Sequence, residues 1–479
     1  MTNKDFKKFM SRKKIKICLV FPRLYIPNVT RGGISPPLGI LYIASFLKSK
    51  GVDCVIYDYF YKGKGLLFEF IKKNKIDIIG LSITSPSAKE AFTLAEELKK
   101  KFLGLFIVCG GPHVSSQPRQ TIADINIDAI IIGEGEYVLY NMVKRIEEKG
   151  TLRADLGGID GLWYKKHGKI RKNNTSTPIQ NLNDLPFPDR KLVDIKRYLK
   201  DSGSMTLISS RGCPYNCIYC QPTQRKIFGN KIRRRDVDNV INEMAEIKKK
   251  YQGDFLFYFQ DDSFTFDKEW LKRFCMEIIN KKLNFRWQCH STVRTVDDEI
   301  IKLMVSSGCE IISYGIESGS QKILNFMRKG ITVEQTRNAF RLAHKNNILV
   351  NCFVMIGTPG ETKNDLDKTV DLIKKIHPDT VQISITSPMI GSDLYEFCRK
   401  NKISNIKNFD EYEYLLNRYP IRLNNLTQAD LFDYQEKIIK ALNSVRYKNT
   451  LKYIKLILFK KDRKKRIMIF IKSHIMKLQ

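Results

Sequence analysis

The chain is 479 residues long, 43% apolar and 28% charged, with a formal net charge of +33. That length exceeds one ordinary domain and supplies apolar residues for at least two cores, which excludes a disordered or fibrous chain. No apolar run approaches the ~18 residues a spanning helix needs, and Pro22 and Arg23 interrupt the short run Ile17 to Phe21 that follows the basic start, so neither span nor secretory signal is expected.

In chain order, residues 15 to about 148 alternate β-branched runs with helical patterns. The strands read KIKICLVF, VDCVIYDY, IDIIGLSI, LFIVCGG and AIIIGEG, and helices fall near 38–50, 65–73, 87–101 and 136–148. Continuous apolar strands alternating with helices predict a parallel sheet covered on both faces, hence a Rossmann-like, doubly wound α/β domain over 1–149. Small, hydroxylated or acidic residues follow its later strands: Ser82 and Thr84, then Gly110, Gly111 and His113, then Gly133 and Glu134. Such residues admit a large cofactor at the carboxyl edge of a parallel sheet. Ordinary βα turns select the same types.

Residues 150–200 break this rhythm. GLWYKKHGKIRKN reads as a hairpin turning at His167-Gly168, and LPFPD as an extended linker. Over 201–400 the alternation returns, with strands TLISSRG, FLFYFQDD, FRWQCHS, EIISYGIES, LVNCFVMIG and TVQISIT, and helices such as Asp236–Tyr251 and Thr332–Asn347. Six β/α units suit a partial (β/α)6 barrel, whose sites lie just after each strand. From 401 to 479 the chain reads as helical and basic. Arg446 to Gln479 carries twelve Lys or Arg against one acid, Asp462, and either packs as basic helices or lies on an anionic membrane face.

Without a secretory signal the expected address is the cytoplasm, with a membrane-peripheral location through that tail as the alternative, and the eleven cysteines there read as thiols or metal ligands. Cys213, Cys217 and Cys220 are spaced Cys-x3-Cys-x2-Cys on the loop after the first barrel strand, beside Gly212 and Pro214. Thiolates are the standard ligands of iron–sulfur clusters, and a four-iron cluster normally takes four. Three leave one iron open to a small molecule. A zinc site would favour paired Cys-x2-Cys units or a nearby His, and neither is present.

This loop resembles the signature of radical S-adenosylmethionine (SAM) enzymes, in which the open iron of a [4Fe–4S] cluster binds SAM. Reductive cleavage there yields methionine and a 5′-deoxyadenosyl radical. The resemblance implies Tyr219 beside the adenine, and Asp261 and Asp262 at the amino end of SAM, although many members carry Gly-Gly-Glu at that point. Arg294 would pair with the SAM carboxylate or form a surface ion pair. Glu317 in GIESGS would meet the ribose hydroxyls, and Gly357, Pro359 and Gly360 in MIGTPGET the adenine.

Upstream, PPLGILYIA, GGPHVS and IIGEGE resemble the cobalamin-binding domain of one branch of this family, which contains radical SAM methyltransferases and the anaerobic magnesium-protoporphyrin cyclase. The resemblance implies that Ser82, Thr84, Gly110, Gly111, His113, Gly133 and Glu134 face cobalamin. The Asp-x-His-x-x-Gly motif is absent, so no His from it would ligate cobalt. Cys18, Cys54 and Cys109 lie mid-strand and read as small buried apolar residues, so one cluster is expected.

The implied activity is hydrogen abstraction from an unactivated carbon followed by methyl transfer from methylcobalamin. Cyclisation, oxidation or rearrangement without methylation is the alternative within the branch, and RNA binding or modification the alternative outside it. No stacked-aromatic pattern, zinc knuckle or other nucleic-acid module supports the last. The expected partners are a small-molecule or lipid-like substrate and a low-potential electron donor such as flavodoxin or ferredoxin.

Overall fold

Short β-branched runs, buried on both faces, build the first sheet. They are β1 (Lys16–Val20), β2 (Asp53–Tyr57), β3 (Ile78–Ser82), β4 (Phe106–Gly110) and β5 (Ala129–Ile131), all parallel in the order β2-β1-β3-β4-β5. The structure is a computed structural model that describes residues 14–22, 35–220, 227–405 and 419–458, with side chains to Ser444. Helices α1 (Leu38–Ser49), α2 (Gly65–Asn74), α3 (Ala88–Lys101) and α4 (Gly135–Lys149) follow strands β1, β2, β3 and β5. Ala91, Leu94, Ala95 and Leu98 of α3 share one core with Ile79, Leu81, Ile107 and Ile130 of the sheet. Because helices cover both faces, the strands carry no polar alternation. The strand order reverses beside β1, and that reversal opens a ligand crevice at the carboxyl ends.

The hairpin expected inside the linker belongs to this sheet. β6 (Leu162–Lys166) pairs antiparallel with β5, and β7 (Lys169–Lys172) with β6, giving seven strands. His167 (φ 50°) and Gly168 (φ 71°) form its two-residue turn. Leu162 and Tyr164 bury one face against the domain, whereas every residue of β7 is exposed. A charged edge strand of this kind blunts pairing with other chains.

The second sheet holds six parallel strands in the order β15-β14-β13-β12-β11-β8. They are β8 (Ser204–Leu207), β11 (Leu256–Phe259), β12 (Trp287–Ser291), β13 (Cys309–Glu317), β14 (Leu349–Ile356) and β15 (Thr380–Ile385). Between β8 and β11, β9 (Ser210–Arg211) and β10 (Arg233–Arg234) form a separate antiparallel ribbon.

By internal contacts the chain divides into two units, Met1–Cys289 with Ser387–Arg422, and His290–Thr386 with Leu423–Gln479. The first therefore includes the seven-stranded sheet and also β8 and β11, so the division does not fall in the 150–200 linker. An aromatic core of Phe259, Phe264, Phe274 and Trp287 sits behind its strands, with Trp270 stacked on Phe274 at 5.2 Å. Helices α5 (Val237–Lys250) and α6 (Lys268–Asn280) complete this part.

In the second unit, α7 (Val333–Lys345) and α8 (Lys363–Ile376) alternate with the strands. Their first turns are held by capping boxes, Thr332 with Gln335 and Thr362 with Asp365. Helix α9 (Gln428–Leu458) starts later than the helical region expected from 401, and Ser404 and Ile421 form an isolated bridge before it. Thr427 and Asp430 bond reciprocally at its start. The side chains of the basic tail lie outside the described residues. No described helix is long and apolar enough to cross a membrane.

Candidate functional site

The cysteine loop grows from a pinned strand end. Asp261, just past β11, accepts the Ser209 amide at 3.0 and 3.1 Å, the Ser209 hydroxyl at 2.7 Å and the Ser210 hydroxyl. The ribbon β9–β10 then closes the loop at its base. Gly212 turns the chain with φ 97°, and a Cβ there would overlap the Lys231 carbonyl, so no other residue fits without a shift.

Cys213, Cys217 and Cys220 follow within eight residues, all half-buried, with the Cys220 amide bonding the Cys217 carbonyl at 3.2 Å. The other eight cysteines of the chain are buried. Burial pushes the thiols of Cys18, Cys54, Cys109, Cys352 and Cys398 well up, which keeps them protonated and poor as ligands. Three accessible thiols on one short loop match the donor set of a site-differentiated four-iron cluster. Among the described residues no three Cys, His, Asp or Glu side chains converge on one metal ion. A four-iron cluster does not ask for that, because each cysteine takes a separate iron.

Tyr219 lies half-buried on the same loop, and Asp262 beyond β11. Asp262 keeps solvent-accessible surface yet is ringed by protein, and this desolvation, with Asp261 beside it, raises its carboxyl to about 7. Of the two acids expected at SAM, Asp261 has its carboxylate occupied by the serines. Asp262 is the one that reaches the surface.

At the carboxyl ends of the first sheet, Ser82 and Gly110 are register partners on β3 and β4. Gly111 has φ 96°, and a Cβ there would press on the Ile83 backbone at 3.0 Å; Gly133 has φ 95° and lies against Ser176. This row of small residues leaves room along the crevice and fits a large planar cofactor. Thr84 is engaged locally, its hydroxyl 3.0 Å from Ser87 in a capping box. His113 is buried, its Nδ1 3.3 Å from the Ser85 hydroxyl, and burial lowers it to about 4, so the ring is neutral near pH 7.

Glu134, expected at the cofactor, is instead held by protein. Arg211 and Arg233 reach its two oxygens at 2.6 and 2.8 Å, and Glu136 takes the other arm of Arg211 at 2.6 Å. A second buried set joins Glu243 to Arg190 (2.8 Å) and Arg235 (2.5 Å), with Arg235 also donating to Tyr42 at 3.2 Å. Of these residues, Arg190, Arg233, Arg235 and Glu243 were not marked as candidates by the sequence. Arg233, Arg234 and Arg235 in a row were the available signal, since the planar guanidinium fork is the cationic group best suited to buried ion pairs.

In the second unit Arg294 is exposed and donates to the Gly330 carbonyl at 3.0 Å. Glu317 is buried at the end of β13, with φ 58° and Lys329 Nζ 2.7 Å away. Gly357 (φ 81°) and Gly360 (φ 80°) shape the turn after β14, with Pro359 between them. Glu361, also missed from sequence, fastens that turn: its Oε2 accepts the amides of Gly357 at 2.7 Å and Thr358 at 2.9 Å.

The Oε1 of Glu361 is buried without a partner, and burial raises the carboxyl from 4.5 to about 7. The folded state therefore holds one more proton than the unfolded chain between those values. Stability contributed here is complete below about pH 4.5, falls as pH rises towards 7 and is level above it. Glu361→Gln is expected to remove that slope and to stabilise at pH 8 by on the order of 2 kcal/mol. Urea midpoints at pH 5 and pH 8 check this; identical pH slopes in both proteins would refute it.

Comparison with known proteins agrees with this layout. The family model of the Radical SAM superfamily matches residues 207–373, and that of the B12 binding domain residues 26–143. An uncharacterized methyltransferase of Pyrococcus horikoshii is 33% identical over 84% of this chain and 86% of its own. The anaerobic magnesium-protoporphyrin IX monomethyl ester cyclase of Rubrivivax gelatinosus is 26% identical over 80% of this chain and 70% of its own. Among solved structures, the radical SAM methyltransferase TsrM of Kitasatospora setae, with cobalamin and a [4Fe–4S] cluster bound, superposes with a TM-score of 0.72 at 18% identity. It covers 88% of this chain and 90% of its own, and at that identity the likeness is one of fold.

Proposed function

The chain belongs to the radical SAM enzymes that carry a B12-binding domain, whose cofactors are a [4Fe–4S] cluster with SAM and cobalamin, and on that premise we propose that it methylates an unactivated carbon of a small-molecule substrate. The observation that carries the reading is the trio of accessible thiols, Cys213, Cys217 and Cys220, in a chain whose other cysteines are buried. When bound, the cluster supplies the electron that splits SAM and the corrin supplies the methyl group.

The protein's own task is to hold and orient. Cys213, Cys217 and Cys220 would hold three irons. Tyr219, Asp262, Arg294, Glu317 and the turn Gly357–Gly360 would hold SAM, with Asp261 ordering the strand end beneath the loop. Ser82, Gly110, Gly111 and Gly133 would seat the corrin, with His113 buried behind them as a neutral ring. A second reading, cyclisation or rearrangement without methylation, is supported by the 26% identity to a cyclase.

The test is anaerobic reconstitution with iron, sulfide and hydroxocobalamin, followed by SAM and a low-potential reductant. S-adenosylhomocysteine alongside 5′-deoxyadenosine supports methyl transfer. Retained corrin with 5′-deoxyadenosine alone supports the second reading, and failure to take up cluster or corrin overturns both.

A flavodoxin- or ferredoxin-like protein would deliver the electron in the cell. The basic tail would let the enzyme meet a lipid-like substrate at an anionic membrane face. Liposomes containing anionic lipid are then expected to sediment the full chain more strongly than one ending at Tyr447; equal sedimentation would remove the membrane role.

A further inference from the structure

The cysteine loop, residues 212–232, leaves at β9 and returns at β10, where Arg211 and Arg233 are register partners. Only two residue pairs make that ribbon, and a ribbon so short is marginal by itself. One carboxylate bridges its two strands. Glu134 Oε1 accepts from Arg211 at 2.6 Å, and Oε2 accepts from Arg233 at 2.8 Å and from the Ile179 amide at 2.6 Å. Glu136 holds the second nitrogen of Arg211 at 2.6 Å, and Arg233 also donates to the carbonyls of Ile179 and of Phe228, the latter at 3.1 Å. The side chains of Arg211, Glu134, Glu136 and Arg233 are 7%, 3%, 3% and 9% exposed, so water does not compete for these bonds.

We propose that Glu134 is a positioning residue for the cluster: from the end of β5 it locks the entry and the exit of the cysteine loop together and so fixes where Cys213, two residues past Arg211, presents its sulfur. The inference rests on the reading that this loop holds a four-iron cluster. Its consequence is that the first sheet, matched by the B12-binding family, is also part of the cluster's support. Outer partners that orient metal ligands typically matter by 10–100-fold in retention or activity.

The structure supplies its own control. Asp379, in the other unit of the chain, is likewise a buried acid, 2% exposed, and its Oδ2 accepts the Val350 amide of β14 at 2.7 Å. Glu134→Gln and Asp379→Asn each replace a buried carboxyl by its amide, one at the base of the cysteine loop and one beside β14. The reconstituted proteins are compared by the rate of iron loss to a chelator and by the EPR spectrum of the reduced cluster with SAM.

Glu134→Gln is expected to lose iron about tenfold faster or more, with an altered spectrum, while Asp379→Asn keeps the wild-type rate and spectrum. Arg233→Lys, which keeps the charge and loses the fork, is expected to fall between, and it carries the test if Glu134→Gln does not fold. Equal losses in Glu134→Gln and Asp379→Asn, or wild-type behaviour of Arg233→Lys and Glu134→Gln, would overturn the inference alone. A wild-type protein that takes up no cluster would overturn the functional reading and this inference with it.

Discussion

Replacing Cys217 by Ala is expected to abolish cluster uptake and with it SAM cleavage, while leaving the fold intact. Cys217 is half-exposed on a loop, so its side chain contributes little to the core, and surface changes of this kind stay within about 0.5 kcal/mol. As a ligand it has no substitute, because the described cysteines outside the loop are buried and those with resolved shifts are held protonated. The loss in 5′-deoxyadenosine formation should exceed the ~100-fold that removal of an outer partner can bring. Cys398→Ala provides the opposite pattern. Cys398 is fully buried, so its loss is expected to cost about 1 kcal/mol of stability with full cluster content. Iron and sulfide analysis with urea unfolding of both variants separates the cases. A Cys217→Ala protein with the wild-type cluster signal would remove the cysteine loop from the mechanism.

Much of the fold was legible because both sheets obey a local rule. A parallel strand covered on both sides must be apolar throughout, so KICLV and IIGLS stand out against the polar helix faces between them. Helix starts were equally readable where Thr332 and Thr362 announce themselves by the acid or amide three residues on. What stayed hidden is non-local. The hairpin at His167-Gly168 could be read from its turn, but not the strand it would join, since edge pairing depends on which strand end is left open. The pairing of Glu134 with Arg211 spans 77 positions and leaves no periodic trace.

The site shows the same division. Three cysteines within eight residues are legible because a cluster demands that spacing on one loop. Asp261 and Asp262 are not separable by sequence, since both follow the same strand. Backbone alternation turns neighbours to opposite sides, and here one acid faces Ser209 and Ser210 while the other reaches solvent. Glu361 was missed for a related reason: an acid at the start of a helix reads as dipole chemistry, whereas this one is turned back into its own glycine turn.

Glu317 combines features that mark a working residue. It is 5% exposed, holds a left-handed φ of 58°, and lies where the β13–β14 register breaks between Gly315 and Glu317. A non-glycine residue in that region costs on the order of 1–3 kcal/mol, which the surrounding structure must sustain. Lys329 at 2.7 Å holds the Glu317 side chain in place, and the absence of a side chain at Gly315 leaves space for both groups. A hydrogen bond to a charged acceptor is worth about 1.5–3 kcal/mol against about 0.5–1.5 for a neutral one, so two hydroxyls facing a carboxylate rather than an amide gain roughly 2 kcal/mol. Glu317→Gln is therefore expected to weaken SAM binding roughly 10- to 100-fold with unchanged iron content. Glu317→Asn, whose short side chain tolerates the left-handed region, should match or exceed that loss without added backbone strain. Equilibrium dialysis of SAM against the reconstituted proteins measures both. Unchanged affinity in the two variants, with the cluster intact, would confine Glu317 to the support of its own strand end, with Lys329 as a structural partner and the ribose contact assigned elsewhere.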